Sequence, residues 1–321
     1  MTFTASQAPH VHHRSTTSVL MLDVITALTP CVAAGIWLFG WNAVRVIVLS
    51  IVFCVGLEFL WQTVMKKPVR IGDLSAVVTG LIFALNLPPT APWWMILIGS
   101  AIAILLVKQL FGGIGCNFLN PALAARAVLL TSWPTLMTAT NTASAYTVPF
   151  DTVTSATVLT DGNVALSSGL SAAAGSMNAS MLDLLIGRIP GTIGEVCKIA
   201  ILIGFIYLLV RKTITWHIPV IMTVSFMVFS LLFGNEPVHA VLSGGFLFGA
   251  VFMATDYTTS PMTHWAQVIY AAGAGLIVAL VRAFGGYPEG VTYGILLMNL
   301  VTPLLDRSIR NRPYGEEKKH A

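Results

Sequence analysis

Leu106-Val107-Lys108-Gln109-Leu110-Phe111-Gly112-Gly113 closes one apolar run, and Leu280-Val281-Arg282-Ala283-Phe284-Gly285-Gly286 closes another half a chain later. Each run is preceded by a break bearing Pro and Thr: Leu87-Pro88-Pro89-Thr90-Ala91-Pro92-Trp93 in the first case, Thr258-Thr259-Ser260-Pro261-Met262-Thr263 in the second. Further upstream, Val78-Thr79-Gly80-Leu81-Ile82-Phe83 is echoed by Leu242-Ser243-Gly244-Gly245-Phe246-Leu247-Phe248. Three landmarks recurring in one order read as an internal repeat. Gly, Phe and Leu can recur by chance in apolar sequence, but their order is harder to reach that way.

Working outward, apolar segments fall near 19–39, 43–62, 74–87, 93–110 and 119–133, then near 192–210, 217–234, 238–254, 265–283 and 290–305. Each approaches the roughly 20 residues that a membrane-spanning helix requires, though some are short or broken. The expected fold is an all-α polytopic membrane protein of about ten transmembrane helices. An odd number of segments per repeat turns the second copy over in the membrane, giving two inverted five-helix repeats with broken or re-entrant helices. The expected boundaries are a cytoplasmic segment 1–18, a first repeat 19–133, an extracytoplasmic loop 134–191, a second repeat 192–306 and a cytoplasmic tail 307–321.

Composition agrees. Of 321 residues, 56% are apolar and 9% are Asp, Glu, Lys or Arg; mean hydropathy is +0.82. Soluble domains carry about 25% charged residues. Too little charge remains to cover a soluble globule, which excludes a soluble enzyme, a disordered chain and a nucleic-acid binder. The formal net charge is +4, and its distribution matters more than its sum. Arg14, Lys66, Lys67, Arg70, Lys108, Arg211, Lys212, Arg307, Arg310, Arg312, Lys318 and Lys319 all fall on one side if both termini are cytoplasmic. Arg45, Arg188 and Arg282 are exceptions. From Ala127 to Gly187 there is no Lys or Arg, as befits an exported loop. No cleavable signal peptide is evident. Cys31, Cys54 and Cys197 sit in apolar runs as small packing residues, and only Cys116 stands in a Gly-rich break. His10, His12 and His13 could bind a metal, although the stretch reads more simply as a polar terminus.

Inverted repeats with broken helices place a site near the midplane, because freed backbone groups must line a cavity or a ligand. Here the breaks are 86–93, 111–121 and 255–263, with a weaker one at 284–290. Gly112, Gly113 and Gly115 permit positive φ and close backbone approach. Asn117 and Asn120 offer donors and acceptors suited to the polar edge of a bound ligand, or simply to exposed helix ends. Ionisable groups inside spans are costly and usually have a task. Asp23, Glu58, Arg126, Glu195, Lys198 and Asp256 qualify, and Asp23, Glu58, Glu195 and Asp256 are candidates for an ion path. Glu195 and Lys198, three apart on a helix face, could instead neutralise each other.

The outward loop holds Asp151-Thr152-Val153-Thr154-Ser155-Ala156-Thr157-Val158-Leu159-Thr160. Small neighbours leave a Thr hydroxyl open to a transferase; by composition alone the stretch is a solvated polar loop. The pattern D-x-x-[ST]-[GS]-A-T resembles the flavinylation motif of the NqrB/RnfD family. Its members are membrane subunits of the sodium-pumping NADH:quinone reductase and of Rnf ion-translocating oxidoreductases. The resemblance continues at Ser15–Val24, at Lys108–Ala122, at Gly194-Glu195 and at Ala254-Thr255-Asp256. The length is closer to the Rnf branch.

The resemblance implies FMN carried on Thr157 through a phosphoester, with Asp151, Thr154 and Ser155 as its motif neighbours and Thr160 a rival acceptor. A flavin transferase would add it outside the cytoplasm, across a bacterial inner membrane. It also implies a second, non-covalent flavin (riboflavin) near the breaks where Asn117 and Asn120 stand. The chain has no Rossmann glycine fingerprint and no cysteine cluster, so oxidation of NADH or ferredoxin belongs to partner subunits carrying flavin and iron–sulfur groups. The cofactor would carry the chemistry while this chain positions it. The other reading is a solute channel or transporter on a urea-channel-like inverted repeat, needing neither flavin nor partners.

Overall fold

The computed structural model describes residues 16–138, 140–141, 154–155, 181–187, 191–285 and 290–309. Among these, it is helical throughout except for one short bridge. In the first half α1 runs Thr17–Phe39, α2 Trp41–Val64, α3 Ser75–Leu85, α4 Trp93–Gln109 and α5 Pro121–Ser132. Two short helices follow, α6 Pro134–Thr138 and α7 Met181–Ile186. The second half comprises α8 Lys198–Val210, α9 His217–Leu232, α10 Pro237–Leu242, α11 Phe246–Phe248, α12 His264–Phe284 and α13 Val291–Ser308. Strands β1 (Thr140–Asn141) and β2 (Thr154–Ser155) pair antiparallel, Thr140 opposite Ser155.

Every apolar segment of the sequence contains helix, with two corrections. The segment expected from 192 is helical only from Lys198, because residues 191–197 are bound edge-on to the end of α3: Ile193 N–H donates to Leu87 O (3.2 Å) and Gly194 N–H to Leu85 O (2.8 Å). The segment expected at 238–254 is not one rod. It stops at Leu242, turns through Ser243-Gly244-Gly245 and resumes as α11, which continues as a π-helix over Gly249–Met253. The last part of α4, Ile102–Gln109, is also π-wound. Such widened turns concentrate at functional sites.

α1, α2 and α12 are long and apolar enough to cross a membrane; α3, α4, α5, α8 and α9 are shorter apolar helices. With 9% charge in the sequence, the chain is a multi-pass membrane protein. The helix starts are capped by residues suited to the task. Thr16 accepts from Val19 N–H, Thr263 from Ala266 N–H, and Asn120, followed by Pro121, accepts from Ala122 and Leu123 N–H.

α2 packs against α3 and α4, and α9 packs against α10 and α12. α4 lies on α5 as α12 lies on α13. The halves meet where α1 packs on α8 and α5 on α13. Where α9 crosses α12 the backbones nearly touch: a Cβ on Gly275 would lie 2.8 Å from Met222 O and 2.9 Å from Phe226 N. Close approach of this kind is how helices associate in lipid, where apolar burial gives them little reason to prefer one another.

Candidate cofactor cleft and buried charge networks

The break after α4 turns through three glycines with positive φ: Gly112 (119°), Gly113 (99°) and Gly115 (85°). These values are open to glycine and rarely to other residues. The turn delivers Asn117 and Asn120 to the seam between the halves. Asn117 Nδ2 donates to Leu119 O (3.1 Å) and to Thr258 Oγ1 (3.1 Å), tying this break to the one at 255–263. Asn120 Oδ1 caps α5, while its Nδ2 reaches Met253 O (3.3 Å) at the end of the second half's π-helix. Both side chains therefore satisfy broken-helix backbone.

Both also line a cleft of about 820 Å³, counted with its open mouth. Met21, Val24, Val78, Ile82, Ile114 and Phe252 make apolar walls; Ser75, Thr79, Lys108, Asp256 and Thr258 add polar groups. Apolar walls with a few convergent donors and acceptors suit a planar heteroaromatic ring with carbonyl and N–H edges. Asp256 Oδ1 accepts from Thr258 N–H (3.3 Å) and Oδ2 from Thr258 Oγ1 (3.0 Å).

The other intramembrane charges are gathered into three networks. Asp23 accepts from Arg211 Nε (3.1 Å), lies 3.0 Å from the outer guanidinium nitrogen, and takes Thr213 Oγ1 (3.3 Å) and Tyr207 OH (3.4 Å), clamping α1 to the end of α8. Glu58 on α2 is fully buried against Lys108 (2.8 Å), Gln109 (2.8 Å) and Gln62 (3.2 Å). Glu195 sits in the turn before α8, where its carboxylate accepts from Thr192 N–H (2.8 Å) and lies 3.9 Å from Arg126 of α5. Arg126 in turn donates to Asn86 Oδ1 (2.5 Å) at the end of α3. Lys198 opens α8, so it shares no helix face with Glu195; its Nζ donates to the carbonyls of Glu195 and of Gly244 (2.7 Å). Of the four candidate ion-path acids, Asp256 alone has no ion pair among the described residues.

Asp23 and Glu58, expected to pair with an Arg or Lys of another helix, do so with Arg211 and Lys108; sequence reading did not name these partners and missed Asn86. The signal for Lys108 was present, since it recurs as Arg282 at the matching point of the repeat. For Glu58 no local signal exists, because its partner is 50 positions away. Thr157 and Asp151 lie outside the described residues, and Thr154 and Ser155 are described only as backbone in β2. His10, His12 and His13 lie outside as well. Among the described residues no group of three or more His, Cys, Asp or Glu could hold a metal. Cys31 and Cys54 are buried, Cys197 is half-buried and Cys116 is exposed.

The sequence model of the NQR2, RnfD, RnfE family matches residues 4–315. The D subunit of a Na(+)-translocating ferredoxin:NAD(+) oxidoreductase complex from Acetobacterium woodii is 46% identical over 99% of this chain and 97% of its own. The D subunit of a proton-translocating ferredoxin:NAD(+) oxidoreductase complex from Clostridium ljungdahlii is 41% identical over 98% and 97%. The D subunit of an ion-translocating oxidoreductase complex from Citrobacter koseri is 35% identical over 98% and 99%.

Proposed function

Since the chain belongs to the NQR2, RnfD, RnfE family, we propose that it is the membrane electron-transfer subunit of an ion-translocating ferredoxin:NAD(+) oxidoreductase complex. The observation that carries this is the near-full-length identity to relatives named as the D subunits of such complexes. Flavin and iron–sulfur partner subunits deliver and remove electrons; this chain relays them and forms part of the ion path, for Na⁺ or H⁺.

Thr157 carries FMN through a phosphoester installed by a flavin transferase, with Asp151, Thr154 and Ser155 completing the attachment motif. Riboflavin occupies the cleft at Asn117 and Asn120. The donor set supports this: two amides, hydroxyls and a backbone-rich turn surround apolar walls, and among the described residues no cationic cluster demands a phosphate there. Bound in the cleft, the flavin supplies stepwise electron transfer. Asn117 and Asn120 orient its ring, and Asp256, with no ion pair among the described residues, is the acid placed to answer its charge or to take a passing cation.

In this reading the ten apolar segments form two inverted repeats, α1–α5 and α8–α13. Support comes from the contacts of α1 with α8 and α5 with α13. α1 and α5 each touch their own counterparts, as helices lying beside a two-fold axis between the halves do. Both termini face the cytoplasm, the loop 134–191 faces outward, and the membrane is a bacterial inner membrane. The test is a denaturing gel of the chain co-expressed with its flavin transferase. Ultraviolet fluorescence in the wild type that vanishes in Thr157→Ala is expected. A dark wild-type band would remove the covalent flavin from the scheme.

A further inference from the structure

Lys108 and Arg282 end the repeated stretch at matching points, and each folds back onto the start of a broken segment. Arg282 donates to Ala240 O (2.5 Å) and Ser243 O (3.2 Å), with its guanidinium 5.0 Å from the Phe226 ring centroid. A guanidinium holds its charge at every working pH, so this corner can fasten backbone but cannot pass a proton. The first half builds the same corner from groups that exchange protons. Lys108 Nζ donates to Ser75 Oγ (2.6 Å) and Glu58 Oε2 (2.8 Å), and Ser75 Oγ donates on to Asp73 Oδ1 (2.7 Å). Lys108 and Ser75 are buried and line the cleft, whereas Asp73 is half-buried beside the exposed 65–70 turn. The line of contacts therefore runs unbroken from surface to cleft. A hydroxyl in its middle can donate one proton as it accepts another.

We propose that Asp73, Ser75 and Lys108 form a proton entry into the cleft; this rests on the reading that a redox cofactor binds there. Electrons arriving from an iron–sulfur partner leave negative charge in the cleft, and a ligand seated there displaces the water that would otherwise neutralise it. Lys108 gives a proton from Nζ toward the cleft and is refilled by the Ser75 hydroxyl. Ser75 is refilled by protonated Asp73, and Asp73 by bulk water, so one proton enters for each charge balanced. The Glu58 carboxylate, held by Gln62 and Gln109, favours the charged form of Lys108, so that refilling through Ser75 runs forward. The other ionisable groups lining the cleft are Asp256 and Tyr257.

The experiment uses the intact purified complex, reduced with a viologen radical, which supplies electrons without protons. Proton uptake is followed by stopped flow with an indicator dye, alongside the content of acid-extractable riboflavin, the flavin assigned to this cleft. Asp73→Asn keeps the hydrogen bonds that shape the turn and is expected to hold wild-type flavin content. Uptake should slow on the order of a hundredfold, the size of effect a positioned proton donor commonly has. Ser75→Ala should slow it equally, and Ser75→Thr should restore it. Wild-type uptake rates in both Asp73→Asn and Ser75→Ala, at full flavin content, would overturn the path. A wild-type complex whose acid extract holds no riboflavin would instead overturn the cofactor reading on which the path stands.

Discussion

Glu58 shows what a single carboxylate can demand of a membrane protein. It is 1% exposed and lies 2.8 Å from Lys108. The pair survives burial because Gln62, Gln109 and Ser75 occupy the remaining donors and acceptors. Two charges so placed gain little over a well-packed apolar pair, but one charge left alone is costly. Glu58→Gln should therefore destabilise the chain by about 3–5 kcal/mol, the usual cost of orphaning a buried ion. The double change Glu58→Met with Lys108→Met should cost far less. Thermal unfolding in detergent, read by tryptophan fluorescence, compares the two. Equal losses would mean that the pair contributes packing and not charge compensation.

At the scale of elements, the glycines that matter are those pressed against another helix. Gly275 faces the α9 backbone, where a Cβ would lie within 3 Å of Met222 O and Phe226 N. Gly56, on α2, has nothing within 4 Å of where a Cβ would stand. Overpacking a tight site typically costs about 1–3 kcal/mol. Gly275→Val should thus lose that much or fail to assemble, while Gly56→Ala should behave as wild type in size-exclusion chromatography and melting temperature. The helices themselves were legible in sequence from apolar length, and the turn after α4 from its three glycines; the caps Thr16 and Thr263 emerged only in the structure. Two departures were not legible. The late start of α8 is dictated by backbone bonds from Ile193 and Gly194 to the end of α3, more than 100 positions earlier. The π-winding of Ile102–Gln109 and Gly249–Met253 leaves no mark in hydropathy, since widening a turn changes the ladder and not the composition.

For the whole molecule, the sorted positive charge predicts which face looks inward. Cys116 is exposed in the break beside the cleft, while Cys31 and Cys54 are buried. A membrane-impermeant maleimide should label Cys116 in inverted vesicles and not in right-side-out cells, and the label should be lost in Cys116→Ser. Labelling from outside would reverse the assigned orientation. The cleft itself was only half legible. Asn117 and Asn120 stood out as polar residues in a Gly-rich break, but their partners Thr258 and Met253 come from the other half of the chain. No local pattern announces a pairing made across 141 or 133 positions.

The backbone bonds from Ile193 and Gly194 to Leu87 and Leu85 bear on how the chain is made. Leu85 and Leu87 are fully buried, so their carbonyls, freed where α3 ends, have no water to turn to. During synthesis the first half reaches the membrane with this rim unmet. It acts as a mould that is finished only when residues 191–197 arrive and seat themselves along it. Neither half is then a module that evolution or an engineer could lift out alone, although the repeat reads as two separable copies. The covalent link between them serves a lasting need, keeping the second copy at hand while the first waits.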